Sequence, residues 1–267
     1  MKQKRIIFIT GATKGIGRNM AIYFAKRNYI VVGAGRDEQL LNEVRQQLLM
    51  YSEEHRMVAM DVTNLEEVHT TLSYVLDTFG KIDVWINNAG SFHAIGPTWE
   101  VNPNDFTQDM MTNVIGTYYC TSVITPVMID QQAGKIVNLV GAGTFTDFPY
   151  GNGYSTSNTA IARFTENLAA ELMDTNVEVY AFDPGLNDTD MTKHIRVSEE
   201  GKRYLSKVSG WFAEEKNVSC EAAPAWIERI VDGQVVAFQG RIISVYDEPE
   251  QLLETLKKNE AKYRLLR

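Results

Sequence analysis

Thr10-Gly11-Ala12-Thr13-Lys14-Gly15-Ile16-Gly17 decides the fold of this chain. The apolar run 5–10 leading into it reads as a strand. Residues 15–27 read as a helix that sets Ile16, Met20, Tyr23 and Phe24 on one face. A glycine-rich turn between a strand and a helix is a cradle for an anion. Gly11 permits the tight turn, and Gly15 and Gly17 let the backbone approach a pyrophosphate seated on the helix N-terminus.

The strand-then-helix alternation continues outward from this turn. Residues 29–34 form a second predicted strand, and Asp37 caps a helix running through Leu40, Leu41, Val44 and Leu48. A third strand is expected at 57–60, a helix at 64–79 and a fourth strand at 82–86. One long helix is expected at 106–128, a fifth strand at 135–140, a helix at 154–173 and a sixth strand at 177–182. A last strand at 241–245 precedes a charged helix from Pro249 onward. Repeated strand–helix units predict a single α/β domain over 1–267. Its core is a Rossmann-type, doubly wound parallel sheet of about seven strands with helices on both faces. Residues 187–222 are the least regular part and follow the sixth strand at the ligand-binding edge, so they are the expected lid. In the tail, 248–267, Lys257, Lys258, Glu260 and Lys262 suggest a solvated helix.

Composition narrows the function classes. A formal charge of −8 opposes nonspecific binding to nucleic acid or anionic membrane, both of which require basic patches. The start is basic (Met1-Lys2-Gln3-Lys4-Arg5), but the apolar run at 6–9 is too short for a signal peptide. No stretch approaches the ~20 apolar residues that span a bilayer. Cys120 and Cys220 lie far apart without metal-ligand spacing. His55, His69, His93 and His194 form no metal motif. A cytoplasmic protein without a metal centre is expected.

Further blocks follow in order. They are Asp61-Val62 after the third strand, Asn87-Asn88-Ala89-Gly90 after the fourth, Asn113 in the long helix, Tyr154 after the fifth strand, and Pro184-Gly185 with Thr189 after the sixth. With the Thr-Gly-x-x-x-Gly-x-Gly turn, this series resembles the short-chain dehydrogenase/reductase family over about residues 5–190. The resemblance implies a nicotinamide dinucleotide held by Gly11, Thr13, Lys14, Gly15, Ile16 and Gly17 at the turn. Asp61 and Val62 would face the adenine, with Asn88, Ala89 and Gly90 beyond. Tyr154 and the residue at 158 would lie at the ribose, and Pro184, Gly185 and Thr189 at the nicotinamide. It also implies a homodimer or homotetramer built through the helices carrying Asn113 and Tyr154.

Charge chooses between the two nicotinamide cofactors. An NAD site places a carboxylate at the end of the second strand for the ribose 2′-hydroxyl. Here that strand ends Gly33-Ala34-Gly35-Arg36, and Lys14 stands in the turn. Two cations suit a 2′-phosphate, so NADP(H) is expected over NAD(H).

The catalytic positions depart from the family pattern. The resemblance implies four residues acting together, Asn, Ser, Tyr and Lys, with the Tyr as general acid or base. Asn113 and Tyr154 match. Gly141 stands where the Ser belongs, and Asn158 where the Lys belongs, one helical turn after Tyr154. Thr144, His93 and Asp147 are candidate substitutes, and Trp99, Tyr150, Trp211 and Phe212 a candidate apolar wall. Ser155, Thr156 and Ser157 are expected to decorate a helix start. The readings that stay open are an NADP(H)-dependent oxidoreductase with an altered proton relay, a cofactor-binding protein without turnover, and a non-redox lyase or isomerase using Tyr154.

Overall fold

The computed structural model describes residues 4–259 and 263–265. Its centre is one seven-stranded sheet in the order β3-β2-β1-β4-β5-β6-β7, parallel throughout. The strands are β1 (Ile6–Thr10), β2 (Ile30–Gly35), β3 (Arg56–Ala59), β4 (Val84–Asn87), β5 (Gly134–Leu139), β6 (Val177–Asp183) and β7 (Ile242–Ser244). β1 and β2 are buried along their whole length, as strands covered on both faces must be. Strand order reverses between β1 and β4, and the crevice opened there at the C-terminal strand ends is where such sheets take ligands.

Local chemistry explains most of the helix boundaries. α1 (Gly15–Lys26) follows the glycine turn directly. α2 (Glu38–Leu49) is capped by Asp37, whose carboxylate accepts from Leu40 N at 3.1 Å. Asn64 caps α3 (Leu65–Phe79), which ends on Gly80 at φ 77°, a left-handed stop that glycine adopts without strain. α1 and α10 (Ala222–Val231) pack on one face of the sheet through Met20, Phe24, Trp226 and Ile230. The other face takes α3 and α5 (Gly116–Asp130), with Phe8 and Trp85 stacked at 3.9 Å between strands.

Three expectations need correction. The helix expected at 106–128 is two helices, α4 (Pro103–Met110) and α5, joined by a π-helical turn at Met111–Ile115 that contains Asn113. The segment expected to be the least regular is helical: α7 (Asp190–Val197), α8 (Glu199–Tyr204) and α9 (Ser206–Ala213) fill most of 187–222, and α10 follows them. The tail helix, α11 (Pro249–Lys258), is not wholly solvated, because Leu252 is buried in the core. Glu260 and Lys262 lie outside the described residues. α6 (Asn152–Glu171) begins close to expectation.

His55 supplies a test of the fold. Its ring is buried, Nδ1 accepts from Val31 N at 3.1 Å, and Nε2 has no partner among the described residues. Burial holds its pKa below the ordinary value, and the charge of Lys4 adds to this. A lowered folded pKa means that the unfolded chain binds the proton more readily. Stability is therefore full above the ordinary His pKa of ~6.5 and falls as pH drops through and below it. Thermal unfolding followed by circular dichroism is expected to show that acid-side loss. It should be reduced in His55→Gln, whose amide oxygen can still accept from Val31.

Candidate active site

A cleft of about 730 Å³ runs along the C-terminal strand ends. Gly11, Thr13, Lys14, Gly15, Ile16, Arg36, Asp61, Val62, Asn88, Ala89, Gly90, Asn113, Tyr154, Asn158, Pro184 and Thr189 all line it. Residues chosen from separate blocks of sequence thus meet on one surface. Three do not reach it. Gly17 packs inward: a Cβ there would lie 2.2 Å from Gly11 O and 2.4 Å from Asn88 Nδ2, so this glycine lets α1 pack against the turn after β1 and the loop after β4. Gly141 and Gly185 open into the neighbouring cavity instead.

The cleft fits a dinucleotide on its own features. The first turn of α1 has no side-chain cap and no acidic residue, so its backbone N–H groups remain available to an anion. Asn88 fastens the turn by donating to Thr10 O at 2.8 Å and Gly11 O at 3.1 Å. At the end of β2, a Cβ on Gly35 would meet Thr13 Cγ2 at 2.7 Å, so a side chain there would have to displace Thr13. Arg36 reaches the same end, 3.5 Å from Asp61. Desolvation works to raise the Asp61 pKa, but hydrogen bonds from Thr63 and the charge of Arg36 outweigh it and hold the carboxylate below its ordinary range.

Tyr154 stands at the other end of the cleft. Its ring stacks on Phe92 (centroids 4.7 Å apart, planes 12° apart). A Cβ on Gly141 would lie 2.6 Å from the Tyr154 hydroxyl oxygen, so Tyr154 takes up space that a side chain at 141 would need. Burial raises the Tyr154 pKa, Asp183 and Asp109 add to this, and the Asn158 amide opposes it. The phenol is therefore protonated at neutral pH and able to donate. Asn158 donates to Ala142 O at 3.2 Å. Asn113 is clamped: Oδ1 accepts from Ser91 N at 2.8 Å, and Nδ2 donates to Ser91 O at 3.0 Å and Ser157 Oγ at 2.9 Å. Ser157 is thus buried inside the site and does not decorate the helix start.

Beyond Tyr154 lies a second cavity of about 630 Å³, with Phe92, Phe148, Ile195, Val208 and Trp211 among its walls. Of the expected apolar wall, only Trp211 lines it. Trp99 is 84% exposed, Tyr150 packs on Tyr204, and Phe212 lies under the Arg196 guanidinium at 4.0 Å. The candidate substitutes for the missing serine are committed elsewhere. Thr144 donates to Gly141 O at 2.6 Å, His93 pairs with Asp109 at 3.1 Å, and Asp147 lines a separate groove. Sequence reading does not single out Asp109, Phe92, Phe148 or Asp183. Only Asp183 carries a local signal, a carboxylate directly before Pro184-Gly185.

Comparison with known proteins agrees with this geometry. A family model described as short chain dehydrogenase matches residues 5–200. An uncharacterized oxidoreductase of Staphylococcus epidermidis is 31% identical over 200 residues, covering 75% of this chain and 85% of the relative. Among solved structures, ElxO with NADP bound superposes with a TM-score of 0.80 at 27% identity, covering 91% of this chain and 97% of its own. An NAD+-bound xylitol dehydrogenase gives 0.82 at 24% identity, covering 91% and 98%, and so shows the fold alone. With its parallel sheet, its glycine turn and its ordered series of cleft residues, the chain belongs to the short-chain dehydrogenase family.

Proposed function

We propose that the chain is an NADP(H)-dependent carbonyl reductase acting on an apolar small molecule. One observation carries the reading: Tyr154 lines both the dinucleotide-shaped cleft and the apolar cavity, and so sits where the two meet. The phosphates would rest on Gly11, Thr13, Lys14, Gly15 and Ile16, the adenine between Asp61 and Val62, and the ribose near Asn88, Ala89, Gly90 and Asn158. Pro184, Gly185 and Thr189 would border the nicotinamide, which supplies hydride when bound. Tyr154 donates a proton to the substrate oxygen. Asn113, through Ser91 and Ser157, holds α6 against the loop after β4.

Direction follows from protonation. A Tyr raised above its ordinary pKa, without a neighbouring ammonium, is a poor base and an adequate acid. The site therefore favours carbonyl reduction over alcohol oxidation. The preference for NADP(H) rests on Gly35, Arg36 and Lys14, and ElxO with NADP bound supports it. Arg36→Ala is expected to weaken NADPH binding about 10-fold, from loss of a charge-assisted hydrogen bond at an exposed site, and to leave NADH binding unchanged. Fluorescence titration of both cofactors measures this. We place the protein in the cytoplasm as a homodimer or homotetramer. Exposed Met111, Tyr118 and Ile129 on the α4–α5 face support assembly there.

A second reading has its own observation. Asn158 leaves Tyr154 without the cation that the family places there, which suits a cofactor-binding protein without turnover. NADPH consumption against a panel of aryl and alkyl ketones separates the two readings. Consumption that depends on ketone supports the reductase. Tight NADPH binding with no consumption in the parent chain, restored in Gly141→Ser/Asn158→Lys, supports the second reading.

A further inference from the structure

The cavity beyond Tyr154 carries a cation that the proposed reaction does not use. Its ionisable lining residues are Tyr154, Asp183, Lys216 and Tyr246, and of these Lys216 alone is basic. Tyr154 marks the end that meets the dinucleotide cleft. Lys216 is exposed and absent from that cleft, so it marks where the cavity meets solvent. Phe92, Phe148, Ile195, Val208 and Trp211 make the wall apolar. Asp183 accepts from Gly185 N at 2.9 Å and Ser244 Oγ at 3.1 Å, and the exposed Tyr246 hydroxyl accepts from Leu186 N at 2.9 Å.

The end of α9 builds Lys216 into this position. Lys216 N donates to Trp211 O at 3.0 Å, and Glu215 N donates to Phe212 O at 3.1 Å. This helix stop ordinarily carries glycine at its left-handed residue and an apolar side chain one position later, packed back on the helix. Here the left-handed residue is Glu215, at φ 55°, and the next is Lys216. An ammonium group is thus turned back toward Trp211 in place of an apolar contact. Val218 N donates to Leu186 O at 2.8 Å, which ties the far side of the turn to another residue of the wall. A second ammonium is near. Lys207 Nζ lies 4.8 Å from the Phe148 ring centre and 5.7 Å from that of Trp211, and it makes no ion pair among the described residues. Lys216 itself pairs with Glu214 at 2.5 Å, but both side chains are more than half exposed. Such a pair is weak and screened, and it leaves other ammonium N–H groups of Lys216 to a ligand.

We infer that Lys216 binds a carboxylate at the outer end of the substrate, with Lys207 adding positive charge beside it. The substrate class is then a keto acid, with its carbonyl at Tyr154, its apolar body along the aromatic wall and its carboxylate at the cavity mouth. This substrate class presupposes the reductase reading and makes it more specific. Asp183 helps to set the orientation, because its carboxylate repels a substrate carboxylate turned inward toward Tyr154. One ammonium group that already shares a carboxylate suits a singly charged end. Glu214 competes with the substrate for Lys216. The substrate carboxylate takes no part in the chemistry: hydride and proton go to the carbonyl as they would in a neutral ketone.

The test compares acids with their methyl esters. 4-Acetylbenzoate, (4-acetylphenyl)acetate and 4-(4-acetylphenyl)butanoate place a carboxylate at increasing reach from the same carbonyl, and each ester removes only the charge. All are titrated by calorimetry into the protein loaded with NADP+, and turnover with NADPH gives kcat and KM. At the best reach the parent chain is expected to bind the acid at least ~10-fold more tightly than its ester, the gain from a charge-assisted hydrogen bond. The difference should appear in KM and not in kcat. Lys216→Ala is expected to weaken that acid by at least ~10-fold and its ester by no more than about twofold. Lys216→Arg is expected to keep the preference, and Glu214→Gln to increase it. Equal binding of acid and ester at every reach overturns the inference. So does a preference unchanged in Lys216→Ala, or an equal weakening of acid and ester, which a merely structural role at the helix end would give. If the preference depends on Lys216 but no compound drives NADPH consumption, the reductase reading fails and the carboxylate site stands.

Discussion

Tyr154→Phe is expected to lower NADPH-dependent ketone reduction by at least ~100-fold while changing NADPH affinity by no more than about twofold. Among the described residues, the phenol is the one ionisable group that lines both the cleft and the apolar cavity, and a positioned general acid contributes ~10²–10⁴ in rate. The ring itself should stay in place. It stacks on Phe92, and that contact does not involve the hydroxyl. Loss of the hydroxyl therefore isolates proton donation from packing. Stopped-flow NADPH consumption with parallel fluorescence titration measures both quantities. Retained turnover would move the acid elsewhere.

Asp109→Ala is expected to cost about 3–5 kcal/mol of stability, which for a chain of this size lowers Tm by on the order of 10 °C. Asp109 is fully buried on α4. It accepts from Ser91 Oγ at 2.9 Å, His93 N at 3.0 Å and Ala94 N at 3.0 Å, and it pairs with His93 Nδ1. Alanine leaves those donors unpaired inside the protein, at ~1–3 kcal/mol each before relaxation. The damage reaches the site because the loop so held carries Phe92, the platform for Tyr154. Calorimetry is expected to show the drop in Tm, and turnover at low temperature a further fall in kcat with little change in NADPH affinity. Asp109→Asn, which keeps one acceptor oxygen, should lose about half as much stability.

Much of this was legible because it is local. The caps at Asp37 and Asn64, the apolar strands and the glycine turn each depend on residues a few positions apart, and they fold as their chemistry dictates. Even part of the segment 187–222 was open to local reading, since Thr189 with Thr192 forms a capping box and Ser198 caps α8. The π-helical turn was not legible. Residues 111–115 suit an α-helix, and the Ser91 contacts of Asn113, which accompany the bulge, come from a distant loop. The same holds for the catalytic end. Spacing identifies Gly141 and Asn158, but only packing shows that the Tyr154 hydroxyl crowds the place a side chain at 141 would need. Nor does spacing tell which side of β6 Asp183 faces, because the surroundings of a strand end are set by loops and by the neighbouring strand.

We propose reduction by a site in which Gly141 and Asn158 stand where the family pattern carries a hydroxyl and an ammonium group. Single-turnover NADPH fluorescence, with the parent chain in excess over cofactor and with aryl ketone present or absent, tests it most directly. The expected result is decay that requires ketone and disappears in Tyr154→Phe. Stable fluorescence from bound NADPH with every ketone, or no binding of NADPH at all, would contradict it.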